Sequence, residues 1–318
     1  MVFCGTPPFA VPSLQKLIEQ SDFDVAAVFT QPDRPRGRGQ KVSYSAVKEA
    51  ALAANLLVHQ PAKIRAPEIE EQLRTLSPDA IVIIAYGQII PARLLSIPRL
   101  GWINLHASLL PKYRGAAPIN WAIANGETVT GNTTMRIDAG MDTGEMLLVR
   151  ECEIGAEETA PEVAARLAQG GAELMLETLR GLQAGTVTGR PQDHSAATTA
   201  PLLKREDGRI DWNRPAQEIY NRMRGFAPWP GAFAEFRGQT CHLWGRPLAK
   251  PTNSEGAQEE SSVPPGTVLA GRKGVLVQCG AATALELTHV KLEGHKQVSA
   301  LEFVNGVRLQ PGERFGNR

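Results

Sequence analysis

The run Ala80-Ile81-Val82-Ile83-Ile84-Ala85 is apolar at every position. A strand with one solvated face alternates polar and apolar residues, whereas a strand covered on both faces does not. The run therefore predicts a parallel strand buried between layers of helix. Further strand candidates lie at 1–4, 25–30 and 101–106. Between and after them lie helical patterns near 9–20, 43–54, 66–76 and 117–125, the first with Leu14, Leu17 and Ile18 at helical spacing. Such β-α alternation predicts an α/β fold built on a doubly wound parallel sheet. A hairpin-like pair near 131–150 and a helix near 160–182 complete this half.

The stretch 184–205 is rich in Gly, Thr, Ala and Pro, has no period, and reads as a linker. Beyond it, strand-like pieces at 232–237, 240–245, 267–270, 274–279 and 285–290 are separated by Gly, Pro and Asn. Short strands with turn signals predict a small barrel. Residues 250–265 are polar and Pro-rich, and their composition predicts a mobile loop within it.

Composition excludes several classes. The net charge is +1, so any nucleic-acid binding must come from local patches. Cys4, Cys152, Cys241 and Cys279 form no Cys-x-x-Cys pair, which fits a reduced, cytoplasmic setting without disulfides or zinc. No apolar run approaches the roughly 18 residues of a membrane span. Met1–Gly5 is too short for a secretory segment and reads as a first strand that starts abruptly. Gly-x-Gly-x-x-Gly, Gly-x4-Gly-Lys-[Ser/Thr], His-Glu-x-x-His and Gly-x-Ser-x-Gly are all missing, which argues against NAD and ATP sites, metalloproteases and α/β-hydrolases. No metal is expected.

The chemistry concentrates after the strand at 101–106. Asn104 and His106 are two apart, so strand geometry points them the same way. In open α/β sheets ligands bind beyond the carboxyl ends of the strands, where this pair sits. An Asn amide can donate to an oxyanion, and a neutral imidazole can accept a proton from a nucleophile. A buried Asn capping the turn beside a structural His is the plainer alternative. Asp142 lies in the Gly-punctuated loop Asp138-Ala139-Gly140-Met141-Asp142-Thr143-Gly144. Such an Asp is ordinarily a turn former. Its functional reading is to fix the tautomer and basicity of His106.

Ser108-Leu109-Leu110-Pro111 offers a hydroxyl, two aliphatic side chains and backbone groups, a wall suited to a planar ligand with polar edges, unless the leucines are core. Gln31-Pro32-Asp33-Arg34-Pro35-Arg36-Gly37-Arg38-Gly39-Gln40-Lys41 carries Arg34, Arg36, Arg38 and Lys41 and no apolar side chain. It reads as a flexible cationic arm at the ligand end of the sheet, suited to phosphates. Arg38, flanked by glycines, approaches a backbone most closely. A solvated charge run is the alternative. In the second domain Arg222, Arg224, Arg237, Arg246, Lys291 and Lys296 lie among short strands with Trp229 and Trp244. Small barrels often bind nucleic acid on one face, but here core aromatics and solubilising cations are the simpler reading.

Ile103-Asn104-Leu105-His106, Ser108-Leu109-Leu110-Pro111, Tyr113-Arg114-Gly115, Ala117-Pro118, Trp121 and Asp142-Thr143-Gly144 together resemble the 10-formyltetrahydrofolate-dependent formyltransferases. Gly5-Thr6-Pro7, the arm, Ile210-Asp211-Trp212 and Pro228-Trp229-Pro230-Gly231-Ala232 resemble the branch of that superfamily whose acceptor is a charged initiator tRNA. The resemblance implies a Rossmann-like catalytic domain over 1–189, a linker over 190–205 and an OB-like barrel over 206–318 that helps to hold tRNA. It implies Asn104, His106 and Asp142 as catalytic residues. It places folate against Ser108, Leu109, Leu110 and Pro111, with Tyr86 and Gly87, and tRNA against Arg34, Arg36, Arg38 and Lys41. The expected reaction is formyl transfer from 10-formyltetrahydrofolate to the α-amine of methionyl-initiator-tRNA. A small amine, such as an amino-sugar nucleotide or glycinamide ribonucleotide, is the alternative acceptor. A catalytically dead RNA- or folate-binding module is the rival of another class, disfavoured because binding alone would not need all three catalytic residues. Thr130-Gly131-Asn132-Thr133-Thr134-Met135 departs from the family's usual Thr-Gly-Val-Thr-Ile-Met in being more polar.

Overall fold

A computed structural model describes residues 1–36, 41–248, 263–271 and 274–316. Most of the expected 250–265 loop lies outside the described residues. The chain divides into two compact units. Unit 1 comprises Met1–Ile119, Val129–Ile154 and Glu162–Pro201; unit 2 comprises Asn120–Thr128, Gly155–Pro161 and Leu202–Arg318.

The first part of the chain runs β1 (Val2–Gly5), α1 (Val11–Ile18), β2 (Ala27–Phe29), β3 (Arg34–Arg36), β4 (Lys41–Ser43), α2 (Ala46–Ala53), β5 (Val58–His59), α3 (Pro67–Leu76), β6 (Ile81–Ile84), α4 (Ala92–Leu95), β7 (Trp102–His106), α5 (Pro118–Ala124), β8 (Val129–Arg136), β9 (Met146–Glu153) and α6 (Ala160–Ala184). The main sheet has the order β5-β2-β1-β6-β7-β8-β9. Its first five strands are parallel, and β8 and β9 are antiparallel. This is the doubly wound sheet that the apolar run at 80–85 predicted.

Strand alternation divides the core into two layers. Phe3, Val82, Ile84, Ile103 and Leu105 meet Leu14 and Leu17 of α1, Val47 and Ala51 of α2, and Leu174, Met175 and Leu179 of α6. Val2, Cys4, Ile81, Ile83 and Trp102 meet Ile69 and Leu73 of α3 and Leu94 of α4. Each fully buried Leu of this kind contributes about 2 kcal/mol. Cys4 is sealed in the second layer, and burial pushes its thiol far above the ordinary range. Helix starts follow local chemistry. Pro67 opens α3, and the Ser45 hydroxyl caps α2 by accepting from the Lys48 amide at 3.1 Å.

Unit 2 contains α7 (Ala216–Gly225), β10 (Phe233–Phe236), β11 (Gln239–Pro247), β12 (Val268–Gly271), β13 (Gly274–Gln278), β14 (Ala284–Leu292), β15 (Val298–Ser299) and α8 (Ala300–Gly306). The antiparallel order is β10-β11-β14-β13-β12, with β15 on β14, and the sheet curls as a half-barrel. Ile219 and Met223 of α7 and Phe303 and Val304 of α8 fill it against Leu243, Val275 and Leu285. Neither helix is part of the strand-only sequence reading.

Residues 190–201, expected within a linker, are stitched into unit 1. Arg190 bridges Met146, and Thr199 bridges Arg114. A segment without hydrophobic period can still satisfy its backbone along an edge.

The unusual polarity of β8 has a structural answer. The Thr134 and Thr178 hydroxyls are 2.8 Å apart, and Asn132 Nδ2 donates to the Leu167 carbonyl at 2.9 Å. Asn132 Oδ1, however, is buried with no partner. An orphaned buried acceptor costs about 1–3 kcal/mol. Asn132→Val should therefore leave stability unchanged or raise it by about 1 kcal/mol, read as the urea midpoint. A lower midpoint would contradict the orphan.

Candidate active site

β7 delivers the site. Trp102 anchors its start by donating Nε1–H to the Leu94 carbonyl at 2.8 Å. Leu105 turns into the core. Asn104 and His106 therefore take the opposite face, as strand geometry requires. Asn104 is partly exposed, and its carboxamide has no hydrogen-bond partner among the described residues. His106 is 5 % exposed.

Two contacts fix the imidazole. Nε2 lies 2.9 Å from the Tyr113 carbonyl, and Nδ1 lies 3.6 Å from Asp142 Oδ2. A carbonyl only accepts, so Nε2 carries the hydrogen. The tautomer is thus set by Tyr113, and not by Asp142 as the sequence reading expected. The separation to Asp142 exceeds a hydrogen bond. It is a contact suited to holding a charge that forms on Nδ1. Asp142 is itself held, because Oδ2 accepts from the Gly115 amide at 2.8 Å.

Backbone strain collects here. Tyr113 has φ 62° and Asp142 φ 53°, both left-handed for residues with a side chain. Each costs roughly 1–2 kcal/mol and persists because neighbours over-determine it. Gly115 has φ 124°, and a Cβ there would sit 2.6 Å from the Ala200 carbonyl oxygen.

The Ser108–Pro111 loop differs from expectation. Ser108 is fully buried, and its hydroxyl is committed to the Lys112 carbonyl at 2.6 Å. Leu110 is 6 % exposed. The half-buried face belongs to Leu109 and Pro111. Thr133 of β8 pins the loop: its hydroxyl donates to the Ser108 carbonyl at 2.7 Å and accepts from the Leu110 amide at 3.2 Å.

Beyond β1, β2 and β6 lies a cleft of about 300 Å³ whose lining includes Thr6, Gln31, Arg34, Tyr86 and Gly87. Neither Asn104, His106 nor Asp142 is in that lining. The Tyr86 ring is buried, and burial raises its phenol well above the ordinary range. Tyr86 therefore offers its backbone: its carbonyl accepts from Thr6 Oγ1 at 3.0 Å and Gln31 Nε2 at 3.1 Å.

The arm begins as a hairpin, β3 with β4, pairing Arg34 with Ser43 and Arg36 with Lys41. Its root is fixed by Asp33, which accepts from the Lys48 ammonium and, at 2.8 Å, from Gln60 Nε2. Those two donors hold the Asp33 carboxyl below the ordinary range. Arg38 lies outside the described residues, as do the side chains of Arg36 and Lys41.

In unit 2 most of the candidate cations are committed. Arg222 stacks over Phe226, and Arg224 donates to the Gly155 and Glu158 carbonyls. Arg237 pairs with Glu313, and Arg246 with Glu286. Trp229 and Trp244 are exposed and not core as expected. No group of three His, Cys, Asp or Glu that could hold a metal occurs among the described residues, and none of their helices is long and apolar enough to cross a membrane.

Comparison with known proteins fits this geometry. The formyl transferase family model matches residues 1–179, and the formyl transferase C-terminal domain model matches 202–308. A methionyl-tRNA formyltransferase of Solibacter usitatus is 55 % identical over 99 % of this chain and 98 % of its own length. That of Geobacter metallireducens is 49 % identical over 100 % and 98 %. The chain belongs to the methionyl-tRNA formyltransferase family. Among solved structures, the sugar 3N-formyl transferase WlaRD, determined with dTDP and 5-N-formyl-THF, superposes with a TM-score of 0.64 at 18 % identity, covering 93 % of this chain and 98 % of that one. HypX from Aquifex aeolicus, in complex with tetrahydrofolic acid, gives 0.60 at 19 %, covering 100 % of this chain and 50 % of that one. At these identities the likeness shows the shared fold.

Within this formyltransferase frame the sequence reading missed Tyr113, Thr133, Gln192 and Thr198. Tyr113 acts through its carbonyl, which no side-chain pattern reveals. Gln192 and Thr198 lie between the two matched segments. Gly115 tests how tightly the site is built. Gly115→Ala must fit a Cβ against Ala200 at positive φ, and should cost about 2 kcal/mol or more together with turnover. An unchanged denaturation midpoint would show that residues near 200 can move aside freely.

Proposed function

We propose that the protein transfers the formyl group of 10-formyltetrahydrofolate to the α-amine of methionyl-initiator-tRNA. The observation that carries this reading is full-length identity of 44–55 % to proteins named methionyl-tRNA formyltransferase. Structures of the same fold solved with folates support a folate donor.

The chemistry follows from the residues. The methionyl amine attacks the formyl carbon, and the carbonyl oxygen becomes an oxyanion. The unpartnered Asn104 amide donates to it. The attacking nitrogen must lose a proton, and with Nε2 committed to Tyr113 the acceptor is His106 Nδ1. The imidazolium so formed lies 3.6 Å from the Asp142 carboxylate, which stabilises it. Collapse of the tetrahedral intermediate breaks the bond to folate N10, which takes the proton from the His106 imidazolium as it leaves and so restores the neutral ring.

The proposed division of labour is catalysis in unit 1, which takes in residues 190–201 of the expected linker, and a second domain over 206–318 that helps to hold tRNA. Leu109 and Pro111 provide the half-buried wall for the donor, with Gly87 at the cleft. Arg34, Arg36, Arg38 and Lys41 meet tRNA phosphates.

Asn104→Ala and His106→Ala should each lower kcat on the order of a hundredfold while donor affinity, by fluorescence titration, stays within about twofold. Full turnover in either variant would remove that residue from the mechanism. A competition assay with charged initiator tRNA and small amines tests the acceptor, and preferential formylation of the small amine would replace tRNA. For the arm, Arg38→Ala should weaken tRNA binding and reduce the salt slope by about one; an unaltered slope would take Arg38 off the RNA.

A further inference from the structure

We infer that Gln192 is a positioning residue whose buried carboxamide sets the spacing of the His106–Asp142 pair. The inference rests on the reading that this pair acts in formyl transfer.

Gln192 is 5 % exposed and lies outside both matched segments. Its Nε2 donates to the Asp142 carbonyl at 2.9 Å and to the Gly144 carbonyl at 2.7 Å. Its Oε1 accepts from Arg114 Nε at 3.1 Å and Nη2 at 2.6 Å. One side chain thus grips the loop carrying Asp142 and the residue between Tyr113 and Gly115. Tyr113 fixes His106, and Gly115 fixes Asp142.

The surrounding segment completes the strap. The Tyr113 amide donates to Thr198 Oγ1 at 2.9 Å, the Arg114 amide to the Thr198 carbonyl at 2.9 Å, and the Ala200 amide to the Arg114 carbonyl at 2.7 Å. The two left-handed residues, Tyr113 and Asp142, flank the clamp, which opposes their relaxation.

Only an amide satisfies these partners. Two carbonyls on one side require donors, and a guanidinium on the other requires an acceptor. Glutamate keeps the shape and the Arg114 contact but sets a second carboxylate oxygen against the Asp142 and Gly144 carbonyls. Gln192→Glu therefore loosens the Asp142 side selectively.

The test is a double-mutant cycle in single-turnover formyl transfer, using Gln192→Glu, Asp142→Asn and the combination. Gln192→Glu should slow transfer about tenfold or more, with unchanged KM for donor and tRNA, and should displace the pH profile of the rate. In the Asp142→Asn background it should cost less than about twofold, with superimposable pH profiles. An equal factor in both backgrounds, or wild-type activity of Gln192→Glu, would overturn the positioning role while leaving the catalytic reading intact. Wild-type activity of Asp142→Asn alone would instead remove the reading beneath it. Should the glutamate variant fail to fold by circular dichroism, Gln192→Met, isosteric and uncharged, enters the same cycle with the same expected and overturning results.

Discussion

The hydrogen bond from His106 Nε2 to the Tyr113 carbonyl is the constraint on which the site depends. It selects the tautomer, turns Nδ1 toward Asp142, and leaves one ring nitrogen free to exchange a proton. Because the acceptor is main chain, its position is set by φ and ψ. A left-handed Tyr113, a glycine at 115 and the strap at 190–200 then become requirements of the proposed chemistry. In the proposed mechanism the acid contributes at longer range. At 3.6 Å it does little for ring orientation and much for the stability of a charged ring.

The main sheet was legible because its signal is local and redundant. A continuous apolar run marked β6, shorter apolar stretches marked β1, β2 and the start of β7, and Leu14, Leu17 and Ile18 marked α1. The helices of unit 2 were present in the sequence but overshadowed. Ala216, Ile219 and Met223 recur at helical spacing, and Ser299 with Glu302 forms the capping box that opens α8. The short strand-like pieces around them mask these signals. The hairpin at 34–43 has no such excuse in period. An Arg-Pro step, two glycines and a basic composition look like an arm, and its anchoring depends on Lys48 and Gln60, which are distant in sequence.

The site divides along the same line. Asn104 and His106 were readable because strand periodicity places them on one face. Their meeting with Asp142 was a tertiary fact. So was the burial of Ser108, Leu110 and the Tyr86 ring, which moved the accessible wall to Leu109 and Pro111. The supporting shell was illegible for a different reason. Gln192 and Thr198 sit in a polar, periodless stretch that resembles a linker. Their partners are main-chain amides and carbonyls, which carry no residue code.

Charge follows a further logic in unit 2. Arg224 is buried and saturates carbonyls, so it holds structure and cannot turn outward without leaving those acceptors unpaired. Arg237 and Arg246 sit in exposed pairs with Glu313 and Glu286, and such pairs contribute little and open readily. A polyanion can compete for an exposed guanidinium at small cost, but not for a buried one. The same distinction applies to the arm, where Asp33 is tied to Lys48 and Gln60 while Arg34 is exposed at the cleft. A fixed root beside Arg34, which has no ion-pair partner among the described residues, places positive charge near the carboxyl ends of the strands without requiring the whole molecule to be basic, so the proposed tRNA contact is compatible with a net charge of +1.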